Sequence, residues 1–246
     1  MSRSTESGVA TNKRVAIIQS NYIPWKGYFD IINDVDEFIL YDDRQYTRRD
    51  WRNRNLIKTE HGLRWLTIPV RVKGRFTQRI DETLIDDPSW ASRHWKTIAQ
   101  AYAGASHFLT YRDVVGDMFA SASRVRRLSD VNRGLLEGIC SLLGIDTRLS
   151  WSTDYEASGD RTERLVSLCL AAGATEYLSG PSARVYIDEA RFAAAGVRLV
   201  YADYSGYPEY PQLHGTFEHG VTILDLLFNA GPDAPRYMKT FARAVA

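Results

Sequence analysis

Two short apolar runs, separated by a helix-like segment, restrict the fold more than any other feature of the chain. Residues 15–18 are too few for a helix and indicate a buried strand, as do residues 38–40. Between them, residues 28–32 have a helical character and follow Gly27. The order strand, helix, strand predicts a βαβ unit, whose ligands bind at the carboxyl ends of the strands. Residues 19–28 and 42–58 would both lie at that edge, where we expect a site.

The rest of the chain continues this alternation. Further strands are predicted at residues 61–70, 145–151, 175–179 and 197–201, and further helices at 87–104, 114–119, 128–143, 159–172, 182–195, 221–228 and 235–245. This pattern predicts an α/β, Rossmann-like fold with a mainly parallel sheet and flanking helices. We expect a disordered tail at 1–13 and a single domain at 14–246, with a helical cap or insertion at about 88–144.

Composition excludes several classes of protein. The formal net charge of the 246 residues is +1, which gives no global attraction to nucleic acid. No apolar run approaches the roughly 20 residues that a membrane span needs, and the N-terminus lacks the apolar region of a secretory signal. Cys140 and Cys169 lie in apolar helical patterns without CxxC spacing, which predicts buried thiols and a cytoplasmic protein. The oligomeric state stays open, a homodimer included.

A family resemblance is carried by motifs near both ends of the chain. The first motifs are Gln19, Asn21-Tyr22, Pro24-Trp25, Gly27-Tyr28, Asp42-Asp43, Gln45 and Asn53-Arg54-Asn55; the later ones are residues 210–217 and 223–232. Together they resemble the WbqC-like family over roughly residues 15–232. Members of that family are encoded with bacterial O-antigen and related glycan assembly genes. The resemblance therefore implies a biosynthetic role, without settled catalytic residues.

Basic side chains crowd the segment that follows the second strand. They are Arg44, Arg48, Arg49, Arg52, Arg54 and Lys58. Guanidinium groups bind phosphate or carboxylate in bidentate fashion, so an anion clamp is one interpretation, with Arg52 and Arg54 favoured because they flank Asn53. The alternative is a solvated loop whose cations pair with Asp42, Asp43 and Asp50.

The turn after the first strand has a second, weaker resemblance. The run from Gly27 and Tyr28 onward is similar to the glycine–histidine region of the nucleotidyltransferase-like α/β superfamily, where a helix N-terminus holds nucleotide phosphates. Residues 178–184, with Ser182 and Arg184, are loosely similar to its second phosphate motif. Trp25 and Tyr28 stand where histidines would be expected, which weighs against nucleotidyl transfer.

Two carboxylates follow the second strand. Asp42 and Asp43 could accept a proton or bind a divalent metal, since hard cations prefer oxygen ligands. They could equally pair with the neighbouring arginines. No cofactor motif is recognised; Mg²⁺ accompanying a nucleotide-type substrate is the metal that this pair would suit. The sequence has no HExxH motif or Cys/His cluster, so no metal ligand is assigned.

Two histidines lie five residues apart in the irregular loop at 205–220. His214 belongs to the family motif, and loops commonly carry catalytic side chains. We expect the strand at 197–201 to join the sheet in parallel, so its exit loop would bring His214 into one pocket with Gln19 and Arg54. The alternative is that His214 only holds the loop in place.

These observations favour a cytoplasmic biosynthetic transferase that uses a small anionic or nucleotide-activated substrate. Whether nucleotidyl, acyl or aminoacyl groups are transferred stays open. The predicted catalytic residues are His214, Tyr28 and Asp43, and the predicted substrate-binding residues are Gln19, Asn21, Tyr22, Trp25, Gln45, Arg52, Asn53, Arg54, Lys58, Ser182 and Arg184. The alternative function is a non-catalytic sugar-nucleotide-binding or scaffold protein. Convergence of His214 and the Arg52/Arg54 pair on one pocket would favour the enzyme, and an exposed Tyr/Trp surface the binding protein.

Overall fold

A computed structural model describes residues 12–241. Its strands are β1 (Arg14–Ile18), β2 (Glu37–Leu40), β3 (Arg54–Thr59), β4 (Gly62–Thr67), β5 (Arg148–Trp151), β6 (Glu176–Ser179) and β7 (Arg198–Tyr201). Five of them form one parallel sheet in the order β5-β2-β1-β6-β7, and β3 and β4 form a separate antiparallel hairpin. The predicted α/β fold with a mainly parallel sheet is confirmed.

Seven α-helices accompany these strands in the described part of the chain. They are α1 (Lys26–Asn33), α2 (Trp90–Tyr102), α3 (Phe108–Ala122), α4 (Leu128–Leu143), α5 (Arg161–Ala171), α6 (Glu189–Ala194) and α7 (Ile223–Ala230), with 3₁₀ segments at Ser152–Asp154, Pro181–Val185 and Gly231–Tyr237. Helices α2, α3 and α4 fill the stretch where a helical insertion was predicted. Within residues 12–241, none of the helices combines the length and the apolar character that a membrane crossing requires.

The sheet is buried on both faces. Along β1, Ala16 belongs to a large apolar cluster with α1 to α4 and α7, whereas Val15 and Ile17 belong to a smaller cluster with α5 and α6. Successive side chains of a strand point to opposite faces, so a strand covered on both sides needs an unbroken apolar run. Cys140 and Cys169 are free and buried, one in each cluster.

The strand order defines where a ligand is expected. The chain passes from β1 to β2 on one side, and β6 and β7 are added later on the other side of β1. The order therefore reverses between β1 and β6, and open α/β sheets bind ligands outside the carboxyl ends of the strands at such a switch point.

Several predicted boundaries are wrong. No α-helix forms over residues 235–241, where the helix at 235–245 was predicted. Residues 235–237 are the end of the 3₁₀ segment Gly231–Tyr237, and beyond it the backbone N–H groups of Lys239 and Thr240 donate to the buried Asp30 carboxylate, at 2.9 and 3.0 Å, which holds the chain out of helical geometry. Residues 242–246 lie outside the described part. The helix predicted at 182–195 is interrupted: a 3₁₀ segment ends at Val185, and α6 begins after Asp188, whose carboxylate accepts from Ala190 N–H.

The N-terminal prediction also needs adjustment. Most of the predicted tail, residues 1–11, lies outside the described residues. Lys13, however, is part of the fold, because its Nζ donates to the Glu37 carboxylate at 2.7 Å and to the carbonyl of Ala172 at 2.7 Å. A second difference is β3: an anion clamp or a solvated loop is predicted for this segment, and Arg54–Thr59 form a strand instead.

Candidate functional site

A cavity of about 370 Å³ opens at the carboxyl edge of the sheet. Its lining comes from the loop after β1, the segment before β3 together with β3 itself, the loop after β7 and the segment before α7: Asn21, Pro24, Trp25, Trp51, Asn55, Tyr204, His219 and Gly220. The cavity borders the switch point, since a Cβ atom at Gly180, directly after β6, would lie 3.8 Å from the Tyr204 hydroxyl. Its volume and largely apolar lining are typical of small-molecule sites.

The turn that forms one wall is strained. Ile23 has a φ of 41°, which is rare for a β-branched residue. The Asn55 amide holds it there by donating to the carbonyls of Ile23 at 2.6 Å and Tyr22 at 3.0 Å. Tyr22 N–H also donates to the Trp51 carbonyl at 2.9 Å. Strained backbone that is held from several sides is concentrated at functional sites.

Aromatic rings supply the broad surfaces of the cavity. Trp25 packs edge-on against Tyr204, with ring centroids 5.1 Å apart. Its indole lies directly over the backbone of Gly27, where a Cβ atom would come within 2.3 Å of the ring. Trp51 is 43% exposed and contacts Trp65 of β4 at 5.4 Å. Such faces suit a planar or sugar ring of a ligand.

His219 is the side chain of the cavity lining that suits proton transfer near neutral pH. Partial burial and the nearby Lys26 ammonium lower the pKa of His219 below its usual value, against weaker opposite effects of Glu209 and Glu218. The imidazole is therefore mainly neutral near pH 7 and can accept a proton. Its ring also packs edge-on against Phe217, with centroids 4.6 Å apart.

Lys26 anchors the loop that carries His219. The residue is buried at the start of α1, and its Nζ donates to the Pro208 carbonyl at 2.6 Å. The ammonium lies over the rings of Tyr207 and Tyr210, 5.2 and 5.1 Å from their centroids. Burial lowers the pKa of Lys26 to about 8, against raising effects of Asp30 and Glu209.

Lys58, predicted to bind phosphate, anchors the same loop from the hairpin side. Its Nζ donates to Gln212 Oε1 at 2.6 Å and to the Thr216 carbonyl. The buried Asp225 carboxylate in turn accepts from Gln212 Nε2 and the Tyr210 hydroxyl, each at 2.8 Å. Lys58 is therefore buried beneath the loop, and these contacts give it a structural role.

The two arginines favoured for the predicted anion clamp, Arg52 and Arg54, form contacts within the protein. Arg52 Nη1 donates to the Gln19 carbonyl at 3.0 Å and to Asn21 Oδ1 at 2.5 Å, so Arg52 lies behind the cavity wall. The Arg54 guanidinium stacks over the Trp65 ring at 4.1 Å and donates to the Arg49 carbonyl. These contacts give Arg52 and Arg54 structural partners, and anion binding by the two side chains stays a prediction.

Other predicted binding residues also make structural contacts. Asn53 is buried and donates to the Ile68 carbonyl at 2.8 Å, while Gln45 is exposed and donates to the Phe76 carbonyl at 2.9 Å. Ser182 and Arg184 are exposed in the 3₁₀ segment after β6, where Arg184 stacks over Tyr201 at 4.2 Å. None of these four side chains lines the cavity.

Tyr28, predicted to be catalytic, and Tyr22, predicted to bind substrate, are buried and support the turn. The Tyr28 hydroxyl donates to the Gln19 carbonyl at 3.0 Å, and the Tyr22 hydroxyl lies 2.8 Å from His94 Nδ1. Burial raises the pKa of both phenols. Proton exchange by Tyr28 would therefore require the turn to open.

Asp42 and Asp43 face a second depression, of about 490 Å³, at the ends of β2 and β5. Asp42 is buried and accepts from Ser20 N–H, Ser20 Oγ and Ser129 Oγ, at 2.7, 2.7 and 2.6 Å. Burial raises the pKa of Asp42, and these hydrogen bonds oppose the rise. Mg²⁺ coordination by Asp42 would require some of these hydrogen bonds to be replaced.

Asp43, predicted to be catalytic, is held by cations. It accepts from Arg44 at 3.0 Å, Arg164 at 2.5 Å and Ser152 at 2.8 Å. Burial alone would raise the pKa of Asp43, but the hydrogen bonds from Arg44 and Ser152 outweigh it and keep the pKa below its usual value. Among the described residues, no group of three or more His, Cys, Asp or Glu side chains is arranged to hold a metal ion.

The prediction that His214 shares a pocket with Gln19 and Arg54 is wrong. His214 Nε2 forms a hydrogen bond with the Ala101 carbonyl at the end of α2, at 2.8 Å. It faces a different depression, lined by Thr59, Glu60, His61, Arg64, Thr97, Gln100 and Ala101. The physical reason is that Leu213 N–H donates to Asn229 Oδ1 of α7, which draws this part of the loop away from the cavity.

Some cavity residues were not assigned a role from sequence. Asn55 was visible in the family motif, and a side-chain amide two residues after Asn53 is a signal that could have been used. Trp51 was a second signal, because a tryptophan within an arginine-rich polar segment is a candidate for ligand contact. Tyr204 had no local signal, because only the topology brings the loop after β7 to this edge.

We expect Asn55→Ala to lower the free energy of unfolding by about 1–3 kcal/mol, since the buried carbonyls of Tyr22 and Ile23 lose their donor. Urea denaturation measures this change. Asn33→Ala is the matched control, because that amide makes one contact, to Thr240 Oγ1, and should cost less than 1 kcal/mol. Equal effects of the two substitutions would contradict the role of Asn55 in holding the strained turn.

His94 gives the stability a pH dependence. Burial lowers the pKa of His94 to about 4, against a raising hydrogen bond to the Thr67 backbone. Between pH 6.5 and 4, His94 is protonated in the unfolded chain but neutral in the folded chain. The free energy of unfolding should therefore decrease as the pH falls from 6.5 to 4. The full effect is on the order of 3 kcal/mol.

His94→Gln should remove that part of the pH dependence, as measured by urea denaturation between pH 4 and 7. His61→Gln is the control, because the His61 side chain is 88% exposed. A variant at His94 that keeps the wild-type slope would contradict the assignment.

Fold and cavity together define an α/β protein with a largely apolar cleft, of a size typical of small-molecule sites, at the switch point of a parallel sheet. The chain belongs to the WbqC-like protein family, since the sequence model of that family matches residues 19–237.

A protein of Mycobacterium tuberculosis (strain ATCC 25618 / H37Rv), described as uncharacterized protein Rv1507c, is similar to this chain. The two are 56% identical over 227 residues, which cover 92% of this chain and 98% of the relative. No solved structure matches the chain. The weaker resemblance to the nucleotidyltransferase-like superfamily therefore stays a prediction.

Proposed function

We propose that this protein is a biosynthetic transferase whose substrate presents a ring to the aromatic cavity. The single observation that carries the proposal is the cavity itself, which combines Trp25, Trp51 and Tyr204 with a neutral histidine at the switch point of the sheet. Rings stack on such aromatic faces, and the few polar groups of the lining orient them. The biosynthetic setting rests on the family resemblance.

The substrate class is a small anionic or nucleotide-activated molecule. Arg52 lies directly behind Asn21, so the cavity wall at Asn21 adjoins a guanidinium whose carboxylate neighbour, Asp50, is 3.7 Å away. A phosphate or carboxylate beside the bound ring would be attracted to this wall. His219 would move the proton of the attacking acceptor group, and the reaction class covers nucleotidyl, acyl and aminoacyl transfer.

A non-catalytic ring-binding protein is the second candidate, and one observation favours it. Trp51 and Trp65 form an exposed aromatic pair, while His214 and the Asp42–Asp43 pair lie outside the cavity. Such a protein would bind the same ligands without turnover.

A ligand screen tests the proposal. Thermal unfolding and tryptophan fluorescence would be followed with nucleotides, sugar nucleotides and amino acids, each with and without Mg²⁺. A ligand that prefers the folded state raises the melting temperature, and one that stacks on Trp25 or Trp51 changes the fluorescence. Trp25→Leu should abolish both responses, whereas Trp95→Leu, outside the cavity, should not. Failure of every ligand class to bind would contradict both candidate functions.

A further inference from the structure

Positive charge is concentrated in one part of the chain. Residues 44–79 contain eleven lysines and arginines but only two acidic residues, a net charge of +9. Because the whole chain carries +1, the remainder carries −8. Exposed members of this segment without a carboxylate partner within residues 12–241 are Arg64, which lines the depression beside α2, and four others: Arg48, Arg49, Lys73 and Arg75.

The two acidic residues of the segment do not neutralise these four. Asp50 lies 3.7 Å from Arg52, and Glu60 lies 3.4 Å from His61. The four cations are therefore a surface excess of charge, since ion pairing does not account for them.

The four cations lie on two loops that are joined to each other. Arg48 Nη2 donates to the Val72 carbonyl at 2.9 Å, and Gln45 Nε2 donates to the Phe76 carbonyl at 2.9 Å. Tyr46 N–H donates to the Gln78 carbonyl at 2.9 Å. We call the surface made of Arg48, Arg49, Lys73, Arg75 and Phe76 the basic face.

A large apolar side chain projects from the middle of the basic face. Phe76 is 80% exposed, although its neighbours Val72 and Gln78 are held against the fold. The turn is closed at its base, where the buried Gln78 donates to the Arg71 carbonyl at 2.8 Å. The ring is thus presented to solvent on an anchored turn, flanked by Lys73 and Arg75.

We propose that the basic face docks this protein on an anionic lipid surface, with Phe76 entering the interfacial layer and the four cations facing the headgroup phosphates. Lysine and arginine bind such surfaces electrostatically, and an aromatic ring gains free energy on leaving water there. A polyanion without apolar or aromatic surface, such as heparin, would pair with the cations but leave the projecting ring in water. Charge and ring together therefore favour the lipid surface.

Docking has a consequence for the cavity. Arg54 connects the Arg49 backbone to the ring of Trp65, which contacts Trp51 in the cavity wall. The basic face and the cavity are therefore linked by continuous contacts. Docking would hold the cavity close to the lipid surface.

Vesicle co-sedimentation with the full chain tests the inference. Phosphatidylcholine vesicles with and without phosphatidylglycerol would be compared at low and high salt. We expect binding only to the anionic vesicles, and weaker binding at high salt. Lys73→Gln together with Arg75→Gln should weaken it about 25-fold, at about fivefold per charge, and Phe76→Ser about tenfold.

Two exposed residues, Leu109 in α3 and Arg124 just after that helix, provide matched controls. Leu109→Ser, at a side chain that is 72% exposed, and Arg124→Gln should leave vesicle binding unchanged. All variants alter exposed side chains, and an unchanged melting temperature would verify their folding.

Three results would overturn the inference. They are the absence of binding to anionic vesicles, equal binding to neutral vesicles, and wild-type affinity of both basic-face variants. Binding to heparin that depends on Lys73 and Arg75 but not on Phe76, without vesicle binding, would assign the face to a polyanionic partner instead.

Discussion

Replacing Asp42 by alanine should lower the free energy of unfolding by about 3–5 kcal/mol, a large part of the stability of a typical domain. The carboxylate is buried and accepts three hydrogen bonds from Ser20 and Ser129. Alanine would leave these donors buried without partners. The loss would also release the loop after β1 from α4, because Asn132 of α4 donates to Ser20 Oγ at 2.9 Å.

Urea denaturation followed by far-ultraviolet circular dichroism measures the change. Asp81→Ala is the matched control, since Asp81 faces the same depression but makes a partly exposed ion pair with Arg79, worth less than about 1 kcal/mol. Asp42→Asn should fall between the two, because its remaining oxygen can still accept from Ser20 N–H. A loss below 1 kcal/mol for Asp42→Ala would contradict the role of this carboxylate.

The sheet could be predicted from local sequence because both of its faces are covered. A strand buried on both sides must be apolar throughout, and residues 15–18 and 38–40 are continuous apolar runs. The end of α4 was equally readable, since Gly144 takes the left-handed conformation with a φ of 70°. The hairpin β3–β4 was harder to predict, because it carries polar side chains such as Lys58, whose partners Gln212 and Thr216 lie far along the chain.

The sequence was enough to predict which edge of the sheet carries the candidate site. The side chains that line this site were predicted only in part. Strand order places Asn21 and Trp25 at the carboxyl edge, and both line the cavity. The arginines were ambiguous, because a guanidinium that binds phosphate and one that binds backbone carbonyls look alike in sequence. Arg52 and Arg54 donate to carbonyls, and these partners are set by tertiary structure.

The choice between two histidines shows the same limit. The loop after β7 does reach the cavity through Tyr204, as the topology requires. Its path beyond that point depends on a hydrogen bond to Asn229 and another to Ala101, which take His214 away. Five residues later the chain returns and places His219 in the cavity wall. No local pattern distinguishes the two.

His219→Gln should lower turnover by about 10²–10⁴-fold while leaving ligand affinity within a factor of about two, if His219 transfers the proton in the proposed reaction. Glutamine keeps a polar side chain of similar length but cannot take up a proton near neutral pH. Because burial and Lys26 lower the pKa of His219, the wild-type rate should already be at its plateau at pH 7 and fall on acidification below pH 6.5.

The measurement uses the ligand found by the thermal screen, with its affinity and its rate of conversion determined separately. His214→Gln is the matched control and should retain full turnover, because that imidazole faces a different depression beside α2. Full activity of the His219 variant would remove the proposed proton-transfer role. Loss of binding without a specific loss of turnover would instead make His219 a ligand contact and favour the non-catalytic candidate, because catalysis requires a group that acts on the transition state more than on the bound substrate.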